Sequence, residues 1–458
     1  MDLPIMRMLV RDLVPPSLVG GRTVFPMLSK VAREVHASSG TRAALAVLRQ
    51  AKGPLREAFG ATFEGAAAHA LALKTLNILL TQQQMRTRSA TVASRPVGLV
   101  VDPTNTCQLA CPGCVHSTHN EERKIFDWPN GTLTGDRFEK LLRQYGPYAV
   151  GVYFCDYGEP LLNVRTPSLI RQAKQYLLAT KLSTSLSVKK LDAEALVASG
   201  LDFMVISIDG ATQDVYEKFR RNGNLELALS NIRRLVAAKK KLNSRTPALS
   251  WNFLAFEHNV HQVADAARLA KQLGVNQFRV VDPFDVSWDD PSIRPAPEQG
   301  SVRRFDWVSA SNHPDNWNPF PDSLEAEAIT TAFEQAWESD AGIVDEEPSS
   351  GHSCRWLYEN MIMDATGRIL PCCGAPSQSG GLIFGNVDED ADPFNSAKYQ
   401  EARQFFSGKS AAENVHCSNC EWDQEQVNIG GEEIRRYFRA ADSAIFDRSA
   451  RELLSESL

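Results

Sequence analysis

The chain has no apolar run long enough to cross a membrane, and no segment with the apolar core and small-residue cleavage site of a signal peptide. Its longest apolar stretch, from Ala66 to Leu80, is interrupted by His69, Lys74 and Asn77. Cysteine is also sparse, at 9 of 458 residues, and the short gaps between several cysteines suit metal ligands better than a disulfide framework. These absences predict a cytoplasmic protein that binds metal through thiolates.

The charge of the chain is unevenly distributed. The formal net charge is −6, yet residues 1–95 carry 13 Lys and Arg against 5 Asp and Glu, which is +8 and leaves −14 on the remainder. The basic segment therefore either docks on the acidic remainder or meets an anionic partner, such as a leader peptide, a phosphorylated substrate or a membrane surface in peripheral contact. We expect no nucleic acid among the partners.

From residue 97 to residue 281, apolar runs typical of strands alternate with amphipathic runs typical of helices. This alternation predicts an α/β fold with a parallel sheet and right-handed crossovers, whose functional residues lie at the carboxyl ends of the strands. The predicted strands are Val97–Val101, Val150–Phe154, Lys181–Leu186, Phe203–Ile208, Leu249–Ala255 and Gln277–Val281. The predicted helices are Asp136–Gln144, Pro167–Leu178, Asp192–Ser199, Leu225–Lys240 and Val260–Leu273.

The regions outside the sheet predict a multi-domain chain. The N-terminal region predicts helices over Ser29–Arg49 and Phe63–Gln84, with a break at Gly53-Pro54, and the linker predicts one helix over Ser323–Ser339. The predicted parts are an N-terminal helical extension at 1–95, the sheet region at 96–285, an acidic linker region at 286–350, a cysteine-bearing domain at 351–430 and a C-terminal helix at 431–458.

Three cysteines follow the first predicted strand, in the sequence Cys107-Gln-Leu-Ala-Cys111-Pro-Gly-Cys114. Gaps of three and two residues allow these thiolates to converge on one metal centre. A structural zinc ion would need a fourth ligand, usually from a second Cys or His pair, and zinc is the alternative for this loop. A cubane iron–sulfur cluster with three protein ligands instead leaves one iron open for a small molecule.

The Cys-x3-Cys-x2-Cys spacing after a strand resembles the signature of the radical S-adenosylmethionine (SAM) enzymes. The second predicted strand ends before Gly158-Glu159-Pro160, which resembles the family's Gly-Gly-Glu-Pro motif with Tyr157 in place of the first Gly. In the family, backbone and carboxylate groups of this motif accept hydrogen bonds from the SAM amino group, and charge-assisted bonds of this kind are strong. A plain turn is the alternative for these residues.

Three residues around the fourth predicted strand extend the resemblance. Ser207 and Asp209 suit the ribose hydroxyls of SAM, and Arg220 suits its carboxylate. One departure is Gly113, because the family often has an aromatic residue before the third cysteine. His116 or another side chain is then expected to contact adenine.

Three other polar residues are weaker candidates for this site. Thr184 and Ser185 lie at the end of the third predicted strand. Asn259 follows the fifth predicted strand and is expected to cap the next helix instead of binding a ligand.

The resemblance implies a partial (β/α)6 barrel similar to a TIM barrel, and a 4Fe–4S cluster held by Cys107, Cys111 and Cys114 with SAM on its open iron. In the family, the reduced cluster passes an electron to the SAM sulfonium, and the resulting 5′-deoxyadenosyl radical removes hydrogen from an unactivated C–H bond. The protein positions the substrate and excludes water. A flavodoxin- or ferredoxin-type reductant is the expected electron donor.

A second group of five cysteines lies in the C-terminal third of the chain, and four thiolates suffice to close around one metal centre. Its spacing around Gly367, with predicted hairpin arms at Asn360–Asp364 and Arg368–Leu370, resembles the SPASM/Twitch domain. That resemblance implies one auxiliary 4Fe–4S cluster, with a structural zinc as the alternative. Cys372 and Cys373 are adjacent, and either could be a ligand. The Gly-x4-Cys spacing from Gly367 favours Cys372. The expected ligands are Cys354, Cys372, Cys417 and Cys420.

Cys155 lies three residues before Gly158, close to the expected site. As a thiol it would donate a hydrogen atom to a substrate radical, as an epimerase requires. The alternative is a buried cysteine that acts as a small hydrophobic residue.

These features predict a radical SAM oxidoreductase, and the resemblance covers about residues 97–425. The first hypothesis is a small-molecule substrate of natural-product, sugar or lipid-like type, with the auxiliary cluster supporting oxidation. The alternatives are a peptide-modifying maturase or epimerase, and a zinc-bound binding module without enzymatic activity. Maturases often carry a leader-binding winged-helix domain, and the predicted all-helical extension therefore favours the small molecule.

Overall fold

The structure is a computed structural model. It describes residues 30–117, 130–283, 290–296, 303–306, 354–372 and 382–408, with gaps at 32–33, 36, 39–40, 60–72, 75–76, 79 and 156. The strands in these ranges are β1 Gly98–Val101, β2 Gly151–Phe154, β3 Ala179–Thr184, β4 Phe203–Ser207, β5 Ala248–Leu254, β6 Gln277–Val281, β7 Arg303–Asp306, β8 Asn360–Met363, β9 Arg368–Leu370 and β10 Gly385–Asn386.

The helices lie before, between and after these strands. Short 3-10 turns add Pro160–Leu162, Val260–Gln262 and Pro393–Asn395, and further helical residues occur within 30–37 and 73–87. The helices are α1 Thr41–Phe59, α2 Gly135–Tyr145, α3 Thr166–Gln175, α4 Ala193–Ala198, α5 Gln213–Phe219, α6 Leu225–Lys241, α7 Val263–Leu273, α8 Trp356–Glu359 and α9 Ala397–Phe406. In the described part of the chain, we find no helix with both the length and the apolar character needed to span a membrane.

The described strands form one sheet in the order β10-β9-β8-β1-β2-β3-β4-β5-β6-β7. Neighbours from β1 to β6 are parallel, whereas β7 and the β8–β9–β10 group add antiparallel pairs. The two ends of this order do not pair, so the sheet stays open. The prediction of an α/β partial barrel is confirmed.

Alternation of side chains along the strands explains how the sheet packs. Leu99 and Val101 of β1 are buried, as are Val152 and Phe154 of β2, and they share one core with the apolar faces of the helices. The residues between them on each strand are more exposed, as at Val100. One face of the sheet is therefore fully covered while the other is half-buried, and the polar site lies at the carboxyl edge.

The predicted strands agree with the observed ones, with one clear shift. β3 begins and ends two residues earlier than predicted, because Leu186 has a left-handed backbone with φ of 54°. Ser185, just after β3, donates its backbone N–H to the Glu159 carboxylate instead of to a neighbouring strand. The end of β3 is thus bent toward the motif after β2.

The predicted break at Gly53-Pro54 is wrong, because α1 continues through both residues. Proline in a helix interior removes one backbone hydrogen bond and crowds the Cβ of the residue before it. Here that residue is a glycine, which has no Cβ. The buried residues Ala44, Leu45 and Leu48 on the other side of α1 further stabilise the helix.

The C-terminal cysteine region joins the same sheet. The predicted hairpin is confirmed as β8 and β9, joined by a turn in which Gly367 has φ of 92°. Less expected is the parallel pairing of β8 with β1, in which Val101 lies opposite Met363. The predicted helices at 323–339 and 431–458 lie outside the described residues.

Arg403 of α9 fastens the extension and the C-terminal region together. Its side chain is fully buried and donates hydrogen bonds to the carbonyl oxygens of Ala90 (3.0 Å), Leu357 (2.8 and 3.0 Å) and Phe394 (2.9 Å). Burial lowers the pKa of Arg403 to about 10, so the guanidinium remains charged at neutral pH.

Replacement of Arg403 tests this role. We expect Arg403→Met to lower the free energy of unfolding by about 3 kcal/mol, because it leaves several buried carbonyl groups without a donor. Chemical denaturation measures the change. The control Arg268→Met removes a guanidinium that is 72% exposed and should change stability by less than about 0.5 kcal/mol. Equal effects of the two substitutions would contradict the assigned role.

Candidate active site

The three cysteines of residues 107–114, which we call the cysteine loop, lie beyond the carboxyl end of β1. The backbone N–H of Ala110 donates to the carbonyl of Arg221, which anchors the middle of the loop beside α5. Cys111 is buried, and Cys107 and Cys114 are half-buried. All three pack against an apolar cluster formed by Leu109, Phe219, Phe256 and Ile293. This wall excludes water from one side of the thiols.

The donor set suits an iron–sulfur cluster. Burial raises the pKa of Cys107 to about 12 and that of Cys111 to about 11, so both thiols need a metal to displace their protons. Among the residues that the structure describes, no three His, Cys, Asp or Glu side chains are grouped closely enough to ligate one metal ion. An iron–sulfur cluster binds its cysteines through separate irons, so the three thiols need not converge on a single metal ion.

Residues 157–160, the motif loop, pack directly on the start of the cysteine loop. A Cβ on Gly158 would lie 1.5 Å from the carbonyl oxygen of Thr104, so only glycine fits. The next residue, Glu159, donates its backbone N–H to Thr106 at 2.9 Å. On the other side His116 donates from Nε2 to the carbonyl of Tyr157 at 2.8 Å. The two predicted SAM-binding segments are therefore one unit.

The carboxylate of Glu159 is buried and fully hydrogen-bonded. It accepts bonds from Thr184 Oγ1 (2.5 Å), from the N–H and hydroxyl of Ser185 (2.8 and 2.7 Å), and from the N–H of Leu161 (3.2 Å). Burial raises the pKa of Glu159, and the bonds from Thr184 and Ser185 oppose that rise. Thr184 and Ser185 thus hold the motif loop against β3, a role that the sequence did not indicate.

Asp209 and Arg220 form an ion pair beside the cysteine loop. Arg220 Nε lies 2.5 Å from Asp209 Oδ2, and its Nη1 lies 4.0 Å from Cys111 Sγ. Asp209 is fully buried and also accepts the backbone N–H of Leu254 at 2.7 Å. Burial raises the pKa of Asp209, and the Arg220 charge counteracts this. The pair places a guanidinium next to the predicted cluster.

The other predicted residues lie around the same edge. Ser207 ends β4 opposite Asn252 of β5, and half-buried Cys155 follows β2. Gly113 has φ of 73°, a left-handed conformation that explains the absence of the aromatic residue expected there. The predicted capping role of Asn259 is wrong. Its side chain instead bridges the carbonyls of Asp209 and Leu254 and the N–H of Phe256.

Asp102 is a residue that the sequence reasoning missed. It is fully buried at the end of β1, with Oδ1 near the N–H of Gly158 (3.4 Å) and Oδ2 without a hydrogen-bond partner. Burial raises the pKa of Asp102 to about 8, and the nearby carboxylate of Asp364 adds to this rise. The available signal was an ionisable residue directly after an apolar run.

The second cysteine group is described only in part. Cys354 and Cys372 are half-buried at either side of the β8–β9 hairpin, and Tyr399 of α9 lies close to both. The Tyr399 hydroxyl donates to the carbonyl of Leu370 at 3.2 Å, which fixes the chain just before Cys372. The other two predicted ligands, Cys417 and Cys420, lie outside the described residues, as does Cys373.

The close approach at Gly158 can be tested by adding a single methyl group. Gly158→Ala places a Cβ on the Thr104 carbonyl, and we expect a loss of about 3 kcal/mol in unfolding free energy together with loss of bound iron after reconstitution. The matched control is Gly135→Ala, whose Cβ would meet only the Gln172 side chain at 3.4 Å. That control should keep its iron. Full iron content in Gly158→Ala would show that the two loops are not one unit.

Two family models match this chain. The radical SAM superfamily model matches residues 101–250, and the SPASM model, described as an iron–sulfur cluster-binding domain, matches residues 354–421. The first implies a 4Fe–4S cluster and SAM, and the second implies auxiliary iron–sulfur binding. Both agree with the positions of the two cysteine groups.

Relatives with assigned names are similar to this chain over part or most of its length. A PqqA peptide cyclase of Granulibacter bethesdensis is 23% identical over 365 residues, 77% of this chain and 86% of that protein. One from Gluconobacter oxydans is 27% identical over 43% of this chain and about half, 52%, of that protein. A probable GTP 3′,8-cyclase of Methanococcus maripaludis is 26% identical over 44% of this chain and 67% of that protein.

Among solved structures, SuiB of Streptococcus suis bound to S-adenosylmethionine aligns with a TM-score of 0.46 at 14% identity, covering 73% of each chain. The named relatives are enzymes, which sets aside the binding module without activity. The chain therefore carries a radical SAM domain over residues 101–250, followed by a SPASM-type iron–sulfur domain over residues 354–421.

Proposed function

We propose that this chain is a peptide-modifying radical SAM enzyme. The observation that carries the proposal is the similarity to PqqA peptide cyclases, which extends over 77% of this chain in the Granulibacter protein. The similarity to the GTP 3′,8-cyclase, whose name gives a small molecule, extends over only 44%. The small-molecule substrate that the sequence placed first is thus less well supported than its peptide alternative.

The predicted all-helical N-terminal extension, which lacks the strands of a winged-helix domain, favoured a small-molecule substrate over a peptide. In the described part of residues 30–95, only helix and irregular backbone occur, as predicted. A winged-helix domain is one way of binding a leader, and the basic charge of residues 1–95 offers another, by attracting an acidic leader segment. We therefore assign the extension to peptide contact.

The cysteine loop would hold the cluster that binds SAM. When bound, the reduced cluster and SAM supply the radical that removes hydrogen from the substrate. The wall of Phe219, Phe256 and Ile293 excludes water from the thiols, which protects a reactive species from side reactions. Arg220, held by Asp209, presents its remaining donors beside Cys111, where they suit the SAM carboxylate.

The remaining roles follow from position in the sheet. The backbone at Gly158 and Pro160 borders the same edge as Ser207, and these residues would contact the amino and ribose groups of SAM. Cys155 directly follows β2 at that edge and would face the substrate as a hydrogen donor. Cys354 and Cys372, with Cys417 and Cys420, would hold the auxiliary cluster, and a flavodoxin or ferredoxin would supply electrons.

Substitution of single cysteines tests the assignment of the two clusters. With dithionite and SAM under anaerobic conditions, we expect Cys111→Ala to form no 5′-deoxyadenosine, because its cluster cannot be held. Cys354→Ala should retain part of this SAM cleavage without forming product, since the first cluster remains intact. Chromatography of 5′-deoxyadenosine measures both. Retained cleavage in Cys111→Ala would refute the assignment.

The substrate class requires a separate experiment. Short peptides encoded beside this gene are incubated with the reconstituted enzyme, SAM and dithionite, and compared with a peptide-free metabolite extract. We expect one peptide to raise 5′-deoxyadenosine release at least about tenfold, a difference in transition-state free energy of about 1.4 kcal/mol. Mass spectrometry should show a peptide that has lost two hydrogens. Stimulation by the extract alone would restore the small-molecule hypothesis.

A further inference from the structure

Residues 290–296, which we call the strap, lie in the predicted acidic linker and outside the residues that either family model matches. They nevertheless pack on the loops of the site. The backbone N–H of Glu257 donates to the carbonyl of Arg294 at 3.0 Å, and the N–H of Ala296 donates to the carbonyl of Ala255 at 3.1 Å. These two bonds, which run in opposite directions, join the strap to the segment that follows β5.

One side chain of the strap is fully packed into the protein. Ile293 is 3% exposed, whereas the other residues of the strap are exposed or half-buried. Ile293 belongs to the same apolar cluster as Cys111, and Cys107 and Cys114 pack against that cluster. A buried apolar side chain keeps water away from its neighbours. The strap therefore forms part of the wall that covers the three thiols.

An ion pair holds the first residue of the strap. Asp290 Oδ2 pairs with Arg221 Nη2, and Asp290 Oδ1 accepts bonds from the N–H and the hydroxyl of Ser292 (2.8 and 2.6 Å). The carbonyl of the same Arg221 accepts the N–H of Ala110 in the cysteine loop at 3.1 Å. Arg221 thus contacts the strap with its side chain and the cysteine loop with its backbone.

The residue before Arg221 belongs to the same site. Arg220 pairs with Asp209, and its Nη1 lies 4.0 Å from Cys111 Sγ. The strap has a single buried side chain, so its attachment depends on Ile293, the ion pair and the two backbone bonds. Of these contacts, the ion pair is the one that a substitution can remove without altering the apolar wall itself.

We propose that the strap is the outer wall of the cluster site, and that Asp290 is a positioning residue, which keeps this wall in place through Arg221. The inference rests on the proposed role of the cysteine loop in holding the cluster. An apolar wall controls the access of solvent to a metal centre and protects reactive species from side reactions. Part of the predicted linker thereby gains a function in the enzyme.

The test is the rate at which the chelator EDTA removes iron from the reconstituted enzyme under anaerobic conditions. Saturating SAM is present to occupy the open iron, so that attack must come through the protein wall. Asp290→Asn keeps the acceptor for Ser292 and removes the charge opposite Arg221. We expect iron release to become about fivefold faster, because a well-formed pair of this kind contributes about 1 kcal/mol. Ile293→Ala should accelerate it at least as much.

Visible absorbance of the cluster measures the release. The phase that is missing in Cys111→Ala reports the cluster of the cysteine loop and separates it from the auxiliary cluster. The matched control is Asp265→Asn, which removes an exposed ion pair with Arg268 on α7 and should release iron at the native rate. The midpoint of chemical denaturation should be the same in Asp290→Asn as in the native protein, which a merely structural role would not predict.

The double variant shows whether Asp290 acts through the strap. In the Ile293→Ala background, Asp290→Asn should add less than about twofold, since the wall is already open. Amide hydrogen exchange at Glu257 and Ala296 should be faster in Asp290→Asn, because both amides bond across the strap. Native release rates in both single variants, or fully additive effects, would overturn the inference. A native protein that binds neither iron nor SAM would instead overturn the proposed function.

Discussion

The contact between Gly158 and the carbonyl of Thr104 is the constraint on which the site depends. It brings the backbone that follows β2 against the backbone that follows β1, closer than any side chain permits. The bond from Glu159 N–H to Thr106 then fixes the chain directly before Cys107. The shape of the cysteine loop is consequently set by the neighbouring strand as well as by any metal. The Glu159 carboxylate also accepts hydrogen bonds from Thr184 and Ser185 at the end of β3, so the third strand helps to fix the same backbone.

Buried charge is used in two different ways in this protein. Arg403 sits among carbonyl oxygens and aromatic rings, where it joins segments that are distant in sequence. Asp209 and Arg220 instead neutralise each other beside Cys111, and so leave guanidinium donors oriented toward the site. The first arrangement joins the body of the fold, whereas the second is the one that would suit the anionic carboxylate of SAM in the proposed function. In both arrangements, buried hydrogen bonds fix the orientation of the side chains, which apolar packing alone does not do.

The sequence predicted much of the fold, because β1 to β6 are buried apolar runs bounded by turn residues. It also predicted the cysteine and motif loops, whose local spacing carries their chemistry. It could not predict that β8 pairs with β1, since hydrophobic period gives no information about partners so distant along the chain. For the same reason it missed the buried carboxyl of Asp102 at the junction of β1 and β8, and it undervalued Thr184 and Ser185 as supports of Glu159. At Gly53-Pro54 the usual sign of a helix break failed because glycine relieves the clash with proline.

The pairing of β1 with both β2 and β8 has a consequence for synthesis on the ribosome. The strand that leads into the cysteine loop is made early, yet one of its two neighbours emerges only after more than half of the remaining chain. Until then β1 presents an unpaired edge, the kind of surface that recruits foreign strands. A nascent chain of this protein therefore exposes the β8 side of β1 until the residues of β8 have been made.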